Sequence, residues 1–134
     1  MWSMIDSCAC ESGLAYAVCC EPLHTGTAIA STAEALMRSR YCAYVVGAID
    51  YLVSTTLPAA RTPDLWVKYE STYRTLQWIG LEIVGTSQGG TQDKLGKVEF
   101  KASYIQHGER AIHHERSCFR RSGGHWYYVD AVLE

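Results

Sequence analysis

The sequence has no long apolar run, no excess of basic residues and no internal repeat or low-complexity segment. No apolar stretch approaches the roughly 20 residues that a membrane-spanning helix needs. Lysine and arginine number 12 against 14 aspartate and glutamate residues, which gives a net charge of −2. Because no strong positive field draws the chain to a polyanion, we expect no direct binding of DNA and no association with a membrane.

A secretion signal is also missing, because residues 1–6 have neither a basic region nor an apolar core. We therefore expect a soluble protein of the cytoplasm. The 134 residues are 48% hydrophobic and 19% charged, which is typical of a globular chain and argues against disorder. A chain of this length forms one domain with room for a small appendage, and it buries roughly two thirds of its unfolded surface.

Cysteine, in contrast, is abundant. The chain has six, and four of them, Cys8, Cys10, Cys19 and Cys20, fall within thirteen positions. In a reducing compartment, clustered cysteines indicate metal ligands before disulfides. A disulfide within either close pair would be strained, because the partners are adjacent or nearly adjacent in the chain. Four thiolates at the spacing C-x-C-x8-C-C suit tetrahedral zinc, with disulfides or free thiols as the alternative.

We predict one structural Zn²⁺ ion per chain at these four cysteines, because four protein ligands leave no open position for water. Zinc binding at such sites contributes about 10–16 kcal/mol, as much as the ~5–15 kcal/mol stability of a whole domain. The cysteine segment, residues 1–25, is called the knuckle below, and we expect it to fold only with metal. Leu14, Tyr16 and Val18 are expected to dock the knuckle on the rest of the chain, or else to meet a partner.

A long helix is predicted after the knuckle. Ser31 and Glu34 form an S-x-x-E capping box, with Ser31 as the N-cap, and Gly47 is a plausible stop. Between them, apolar residues recur at spacings of three and four and form one stripe: Ala33, Leu36, Met37, Tyr41, Tyr44 and Val45.

Two shorter helices are predicted next. The first covers residues 51–55 with Asp50 as its cap. The second starts with Thr62 as N-cap and Pro63 at the first helical position, and runs to about Thr75.

After residue 77 the hydrophobic period changes to two, which predicts strands at 78–86, 98–104, 111–121 and 125–132. A flexible turn is predicted at 85–96. Helices followed by antiparallel strands indicate an α+β fold.

The third predicted strand places charged and apolar side chains on one face. If Phe119 points inward, His113 and Glu115 point inward with it. A buried carboxylate must be paired or protonated, and Arg38 or Arg40 on the long helix is a candidate partner for Glu115. The alternative to such a structural ion pair is a ligand site in which Glu115 acts as a general base beside His113.

The two remaining cysteines stand apart from the cluster. Cys42, beside Tyr41 on the long helix, is interpreted as a small core residue. Cys118 has no neighbours typical of a nucleophile and is interpreted as a packed or surface thiol.

The knuckle resembles the SEC-C motif, the zinc knuckle found at the C-terminus of the preprotein translocase ATPase and in many small bacterial proteins. The residues that carry the resemblance are Cys8-x-Cys10-x-Ser12-Gly13-x-x-Tyr16-x-x-Cys19-Cys20. The lysines that commonly follow the glycine are replaced here by Leu14 and Ala15, so the basic character of the motif is lost.

The remainder of the chain is similar to the YchJ-like SEC-C proteins, in order and nearly end to end. The resemblance implies an N-terminal SEC-C knuckle at 1–25 and an NTF2-like domain at 26–134, in which a helical cone packs on a curved antiparallel sheet. The matching segments are Glu34-Ala35-Leu36-Met37-Arg38-Ser39-Arg40-Tyr41, Trp78-Ile79-Gly80-Leu81, Glu115-Arg116-Ser117-x-Phe119 and Trp126-Tyr127-Tyr128-x-Asp130.

Two functions follow as expectations. The first is a non-enzymatic zinc-containing adaptor whose partner is another protein, at the ribosome or in protein export and quality control, with a homodimer compatible with the fold. The second is a small-molecule-binding protein or an enzyme of the isomerase, dehydratase or hydrolase type. That function would use a cone pocket around Glu115 and His113, with further candidate residues Arg38, Arg40, Ser117, Tyr128 and Asp130.

Overall fold

A computed structural model describes residues 7–133 of the chain, and in it helices come first and strands follow. The interpretation of residues 1–6 as lacking a secretion signal lies outside the described residues. The α+β class is confirmed. The elements are helices α1 (Glu21–His24), α2 (Ala33–Val46), α3 (Ile49–Ser54) and α4 (Leu65–Thr75), and strands β1 (Gln77–Gln88), β2 (Leu95–Gln106), β3 (Glu109–Ser122) and β4 (His125–Leu133).

Helix α2 begins one residue later than predicted. Its N-cap is Thr32, whose hydroxyl accepts a hydrogen bond from the backbone N–H of Ala35 at 3.0 Å. Ser31 and Thr32 are both good caps, and the choice is made by tertiary structure: the N–H of Ala33 is already used by the carbonyl of Gly89, 2.9 Å away. The helix ends as predicted at Gly47, which takes the left-handed conformation with φ of 82°.

The two shorter helices differ from the prediction mainly at their starts, and α3 also ends one residue earlier than predicted, at Ser54. Helix α3 begins after Ala48, so Asp50 lies in its first turn and not at the cap. Helix α4 begins after Asp64 and not after Thr62, whose hydroxyl donates a hydrogen bond to the Asp64 carboxylate at 2.6 Å. The predicted end of this helix at Thr75 is confirmed.

The four strands form one antiparallel sheet in the order β1-β2-β3-β4, and every strand is longer than predicted. The turn between β1 and β2 is confined to residues 89–94. It is shorter than the predicted turn at 85–96, because Gly85 and Gly96 both pair in the ladder of β1 and β2. Register shifts in β1, between Trp78 and Gly80 and between Ile83 and Gly85, bend the sheet into a curve.

Helix α2 lies across the concave side of the sheet and contacts β1, β2 and β4. Its apolar stripe and the inward side chains of the strands form the main core, which contains Ala30, Ala33, Leu36, Met37, Tyr41, Leu81, Val98, Phe100, Ala102, Phe119 and Trp126. The knuckle packs against another face of the same helix. Helix α2 thus lies between the sheet and the knuckle.

Candidate functional site

The cysteine loop is held by a short antiparallel bridge between Ser7 and Ala15. The N–H of Cys8 donates to the carbonyl of Leu14 at 2.7 Å, and this bond closes the loop. Gly13, with φ of +88°, turns the chain in a conformation that side-chain-bearing residues rarely adopt. The loop therefore brings Cys8 and Cys10 opposite the cysteine pair that follows.

The four predicted ligands lie together: the Sγ atoms of Cys8, Cys10, Cys19 and Cys20 are all within 4.8 Å of one another. The Cys10–Cys19 distance is 3.6 Å and the Cys19–Cys20 distance is 3.9 Å between sulfur atoms. Two sulfur ligands on a tetrahedral zinc ion lie roughly 3.8 Å apart when the metal–sulfur distance is about 2.3 Å. The donor set and its spacing therefore fit a metal ion of the zinc type.

The thiols of this cluster influence one another. All six cysteines are free thiols, so no disulfide forms among the described residues. The hydrogen bond with the Cys10 thiol lowers the pKa of Cys8 to about 6. Burial raises the pKa of Cys19 to about 11. Because a metal ion binds the thiolate form, its binding would release protons from the less acidic thiols.

Cys42 belongs to this cluster as well, which the sequence reasoning missed. It is buried, as predicted for a small core residue, but its Sγ lies 3.7 Å from the Sγ of Cys8 and it packs with the knuckle cysteines. Cys42 is 34 positions from Cys8 and outside the motif, so nothing in the local spacing signals the contact.

Polar contacts dock the knuckle on the rest of the chain. The Arg38 guanidinium donates to the carbonyl of Cys10 at 2.6 Å, and the Glu11 carboxylate accepts from the N–H of Leu81 at 2.5 Å. His24 bridges the two parts, because its ring bonds the Tyr16 hydroxyl at 2.8 Å and the carbonyl of Ser39 at 2.8 Å. Burial lowers the pKa of His24, which keeps the ring neutral.

The docking role predicted for three apolar residues is correct for one of them. Tyr16 is buried at the contact, as expected. Leu14 and Val18 are instead 53% and 70% exposed, because the loop turns their side chains toward solvent.

A cavity of about 350 Å³ lies between α2, α4 and the sheet. Its walls are mainly aromatic, with Tyr44, Tyr69, Trp78, Phe100, Phe119 and Tyr128 among the lining residues. Tyr44 belongs to the apolar stripe predicted for the long helix, and its part in a cavity was not foreseen. Burial raises the pKa of Tyr44 and of Tyr128, which keeps both phenols protonated.

Three polar residues of β3 face this cavity: His113, Glu115 and Ser117. The two Glu115 oxygens are both used, one by Nε2 of His113 at 2.7 Å and the other by the hydroxyl of Ser117. The Glu115 side chain is 14% exposed. Phe119 is buried on the same face, so the predicted inward face of the strand is correct.

The predicted ion pair between Glu115 and an arginine of α2 is wrong. Arg38 pairs with Glu34 and with the carbonyl of Cys10 in the knuckle. Arg38 and Arg40 are two positions apart on the helix, so their side chains point in directions about 200° apart. Arg40 does face the cavity, but its guanidinium donates to the carbonyl of Leu52, to Thr55 and to the Tyr69 hydroxyl at 2.7–3.0 Å.

The charge of Arg40 has no acidic partner: among residues 7–133, no carboxylate lies within 4.0 Å of its guanidinium. The residue is only 6% exposed, and its Cζ lies 4.7 Å from the centroid of the Tyr128 ring. The ring face and the neutral acceptors compensate part of the cost of burying this cation.

Of the two predicted pocket residues on β4, Tyr128 lines the cavity and Asp130 does not. The strand has a register shift at this point: Phe119 pairs with Tyr128, whereas the preceding Cys118 pairs with Asp130. The extra residue between them sends Asp130 to the outer face, where it is exposed.

One residue of the cavity wall carries a buried polar atom without a partner. Trp78 lines the cavity, and its indole nitrogen is the one buried side-chain nitrogen or oxygen without a hydrogen-bond partner in the described part of the chain. A buried donor without an acceptor costs about 1–3 kcal/mol. Chemically, the cavity offers a cation, Arg40, and a carboxylate, Glu115, that orients the His113 imidazole for general-base work.

The chain matches known proteins over nearly its whole length. A model of the family described as YchJ, middle NTF2-like domain, matches residues 32–131. A UPF0225 protein of Actinobacillus succinogenes is 42% identical over 98% of this chain and 84% of its own length. A UPF0225 protein of Streptomyces coelicolor is 43% identical over 92% of both chains.

Two solved structures are similar to this one. The solution structure of a SEC-C motif containing protein from Rhodopseudomonas palustris has a TM-score of 0.85 and 38% identity, and the match covers 95% of this chain and 98% of that one. A crystal structure of a SEC-C motif containing protein from Psychrobacter arcticus has a TM-score of 0.81 and 30% identity. Among the helices of residues 7–133, none has the length and apolarity that crossing a membrane requires.

Proposed function

The chain belongs to the YchJ-like UPF0225 family of SEC-C motif proteins, and from that premise we propose that it is a zinc protein whose NTF2-like domain binds a small molecule. The ligand is a mainly apolar compound that carries a carbonyl or carboxylate oxygen. Zinc has a structural role in the knuckle, and the cavity between α2, α4 and the sheet is the binding site.

The size and lining of the cavity support this proposal. Ligand pockets commonly enclose about 300–1,000 Å³, with apolar walls and a few convergent polar groups. The cavity here, at about 350 Å³, has aromatic walls and the polar groups of Arg40, Glu115 and His113. It suits a compound of about one or two rings.

The single observation that carries the proposal is the indole N–H of Trp78, a buried donor on a residue of the cavity wall that has no acceptor in the described part of the chain. A buried donor that has no acceptor in the protein is satisfied when a ligand oxygen accepts its hydrogen bond. The Arg40 guanidinium, whose charge has no carboxylate partner in the described residues, favours an oxygen with negative charge.

The proposal is tested by following the indole N–H signals of the ¹⁵N-labelled protein during titration with benzoate, acetophenone and toluene. We expect benzoate and acetophenone to move the Trp78 signal and toluene to leave it in place. Trp78→Phe keeps the ring and removes the donor, and it should weaken binding about tenfold, the worth of one hydrogen bond of ~1.4 kcal/mol. A panel of small ketones and carboxylates that moves no signal of the pocket would contradict the proposal.

The metal part of the proposal rests on the four sulfur atoms within 4.8 Å of one another. Elemental mass spectrometry of protein purified under reducing conditions should give about one zinc per chain. Four thiolate ligands require a reducing compartment, for which we propose the cytoplasm. Less than about 0.1 zinc per chain, even after loading with zinc and removal of the excess, would refute this part.

A second function is favoured by the exposed apolar side chains of the knuckle. Leu14 and Val18 stand in solvent at 53% and 70% exposure on a segment that the metal would hold rigid. We propose that they contact a protein partner, with ribosomal and protein-export components as the classes that the SEC-C resemblance implies. Leu14→Ser with Val18→Ser should abolish co-purification of such a partner at unchanged zinc content, and unchanged co-purification would remove this function.

A further inference from the structure

The thiol cluster has a fifth member that the knuckle motif does not supply. Cys42 lies in the middle of α2, and its side chain is fully buried, at 0% exposure. Its Sγ lies 3.7 Å from the Sγ of Cys8, which is the spacing of two sulfur ligands on one tetrahedral metal ion. Cys42 also packs in one buried cluster with Cys10 and Cys20. Cys42 is therefore positioned as a metal ligand would be, although it belongs to the NTF2-like part of the chain.

Cys19 differs from the other cysteines of the cluster in its exposure. Its sulfur contacts those of Cys10 and Cys20 at 3.6 and 3.9 Å, and the hydroxyl of Ser12 lies 3.1 Å away. It is the one ligand of the motif that is partly exposed, whereas Cys8, Cys10 and Cys20 are buried. The cluster thus contains three buried thiols of the motif, a partly exposed fourth thiol and a buried fifth one from α2.

We propose that Cys42 is an alternative metal ligand that replaces Cys19, and that Cys8, Cys10, Cys20 and Cys42 form a second four-thiolate set. This inference rests on the proposed zinc site. In the exchange, the bond from the metal to Cys19 breaks and that sulfur takes up a proton. The Cys42 thiol releases a proton and its sulfur forms the new bond. The charge and the number of ligands stay the same, and no electron is transferred.

The exchange has two physical consequences. A metal held by Cys42 crosslinks the knuckle to α2, because its ligands then come from both parts of the chain. The site also tolerates loss of its most accessible ligand: a solvent-borne electrophile reaches Cys19 first, and the metal stays bound through the buried set.

Four variants test the proposal: Cys19→Ser, Cys42→Ala, the double variant, and Cys118→Ser as a control for loss of a thiol outside the cluster. Zinc per chain is measured after dialysis against a chelator, and the sulfur ligands are counted by X-ray absorption at the zinc edge. We expect Cys19→Ser to keep about one zinc with four sulfur neighbours. The Kd for zinc should be at least about a hundredfold higher in the double variant than in Cys19→Ser.

A second measurement needs no substitution. Iodoacetamide is added to the zinc-loaded protein, and mass spectrometry identifies chains alkylated at Cys19 alone. Native mass spectrometry should show that these chains still carry zinc.

Three results would overturn the inference. They are three sulfur neighbours and one lighter ligand in Cys19→Ser, equal zinc loss in Cys19→Ser and the double variant, or metal-free chains after alkylation of Cys19. If the unsubstituted protein itself takes up no zinc, the zinc proposal fails and this inference fails with it. If the unsubstituted protein binds zinc and one of the three results above is found, the zinc proposal stands and only the exchange of Cys19 for Cys42 is refuted.

Discussion

The NTF2-like part of the chain and the knuckle differ in what they bury. The NTF2-like part, called the cone here, has eleven buried residues in its main core, and most of them are aliphatic or aromatic. The described part of the knuckle, residues 7–25, buries three cysteines and Tyr16, and Cys42 of α2 completes that cluster. We therefore expect apolar burial to be sufficient to fold the cone, and the knuckle to depend on the proposed metal ion to hold its thiols together.

The comparison teaches how one helix serves both parts. Helix α2 presents Arg38 and Cys42 to the knuckle, and Arg40 and Tyr44 to the pocket of the cone. These two pairs of side chains occupy different faces of the helix. We therefore expect variants to affect one part far more than the other.

The largest effect is expected from removing a buried knuckle thiol. Cys20→Ala should abolish stoichiometric zinc binding and unfold the knuckle, since the Cys20 Sγ lies within 4.8 Å of the other three proposed ligands and metal binding at such a site contributes about 10–16 kcal/mol. Elemental mass spectrometry measures the metal, and ¹⁵N-resolved spectra report the two parts separately. Loss of the cone signals together with the knuckle signals would show that the parts are not independent.

A large effect confined to the cone is expected from Leu36→Ala. Leu36 is fully buried between α2 and the sheet, and truncation of such a side chain leaves a cavity that costs about 2–5 kcal/mol. Urea denaturation followed by tryptophan fluorescence should show this loss, while zinc content stays at that of the unsubstituted protein. A lower zinc content would indicate that packing of the cone is required for the metal site.

A smaller effect is expected at the start of α2. Thr32→Ala removes the hydroxyl that caps the helix and should lower the free energy of unfolding by about 1 kcal/mol. Ser31→Ala is the matched control and should change it by less than about 0.5 kcal/mol, because no cap bond depends on that side chain. Equal effects of the two variants, measured by urea denaturation, would argue against the observed cap.

The smallest effect concerns the pH dependence of the contact made by His24. Burial lowers its pKa in the folded protein below the ordinary value of 6.5, so below pH 6.5 the unfolded chain binds more protons than the folded one. The contribution of this residue to stability is therefore complete above pH 6.5 and decreases as the pH falls below that value. Between pH 7.5 and pH 5.5, the free energy of unfolding should fall more for the unsubstituted protein than for His24→Gln. An equal fall in the two proteins would contradict the assignment.

The sequence predicted the class of fold, the order of the elements and the inward face of β3, because periodicity and turn residues act locally. The clustering of the four knuckle cysteines could also be predicted from the sequence, since they lie within thirteen positions of one another. Local signals also carried the end of α2 at Gly47, where a left-handed residue is required.

The contacts that the sequence did not predict are those set by tertiary structure. Cys42 reaches Cys8 across 34 positions, so no spacing rule connects them. Arg40 was a reasonable partner for Glu115 by charge, but the acceptors of α3 and α4 lie closer to its guanidinium. Asp130 leaves the pocket because of a register shift, and a shift of one residue is invisible in an alternating pattern.

Hydrogen exchange on the zinc-loaded and the chelator-treated protein tests the central claim most directly, because it reads every backbone amide of both parts in one experiment. After zinc removal, we predict fast exchange across residues 7–25 and unchanged protection in the strands and in the core-facing part of α2. Loss of protection throughout β2 and β3 on zinc removal, or protection of the knuckle that persists without metal, would contradict the account.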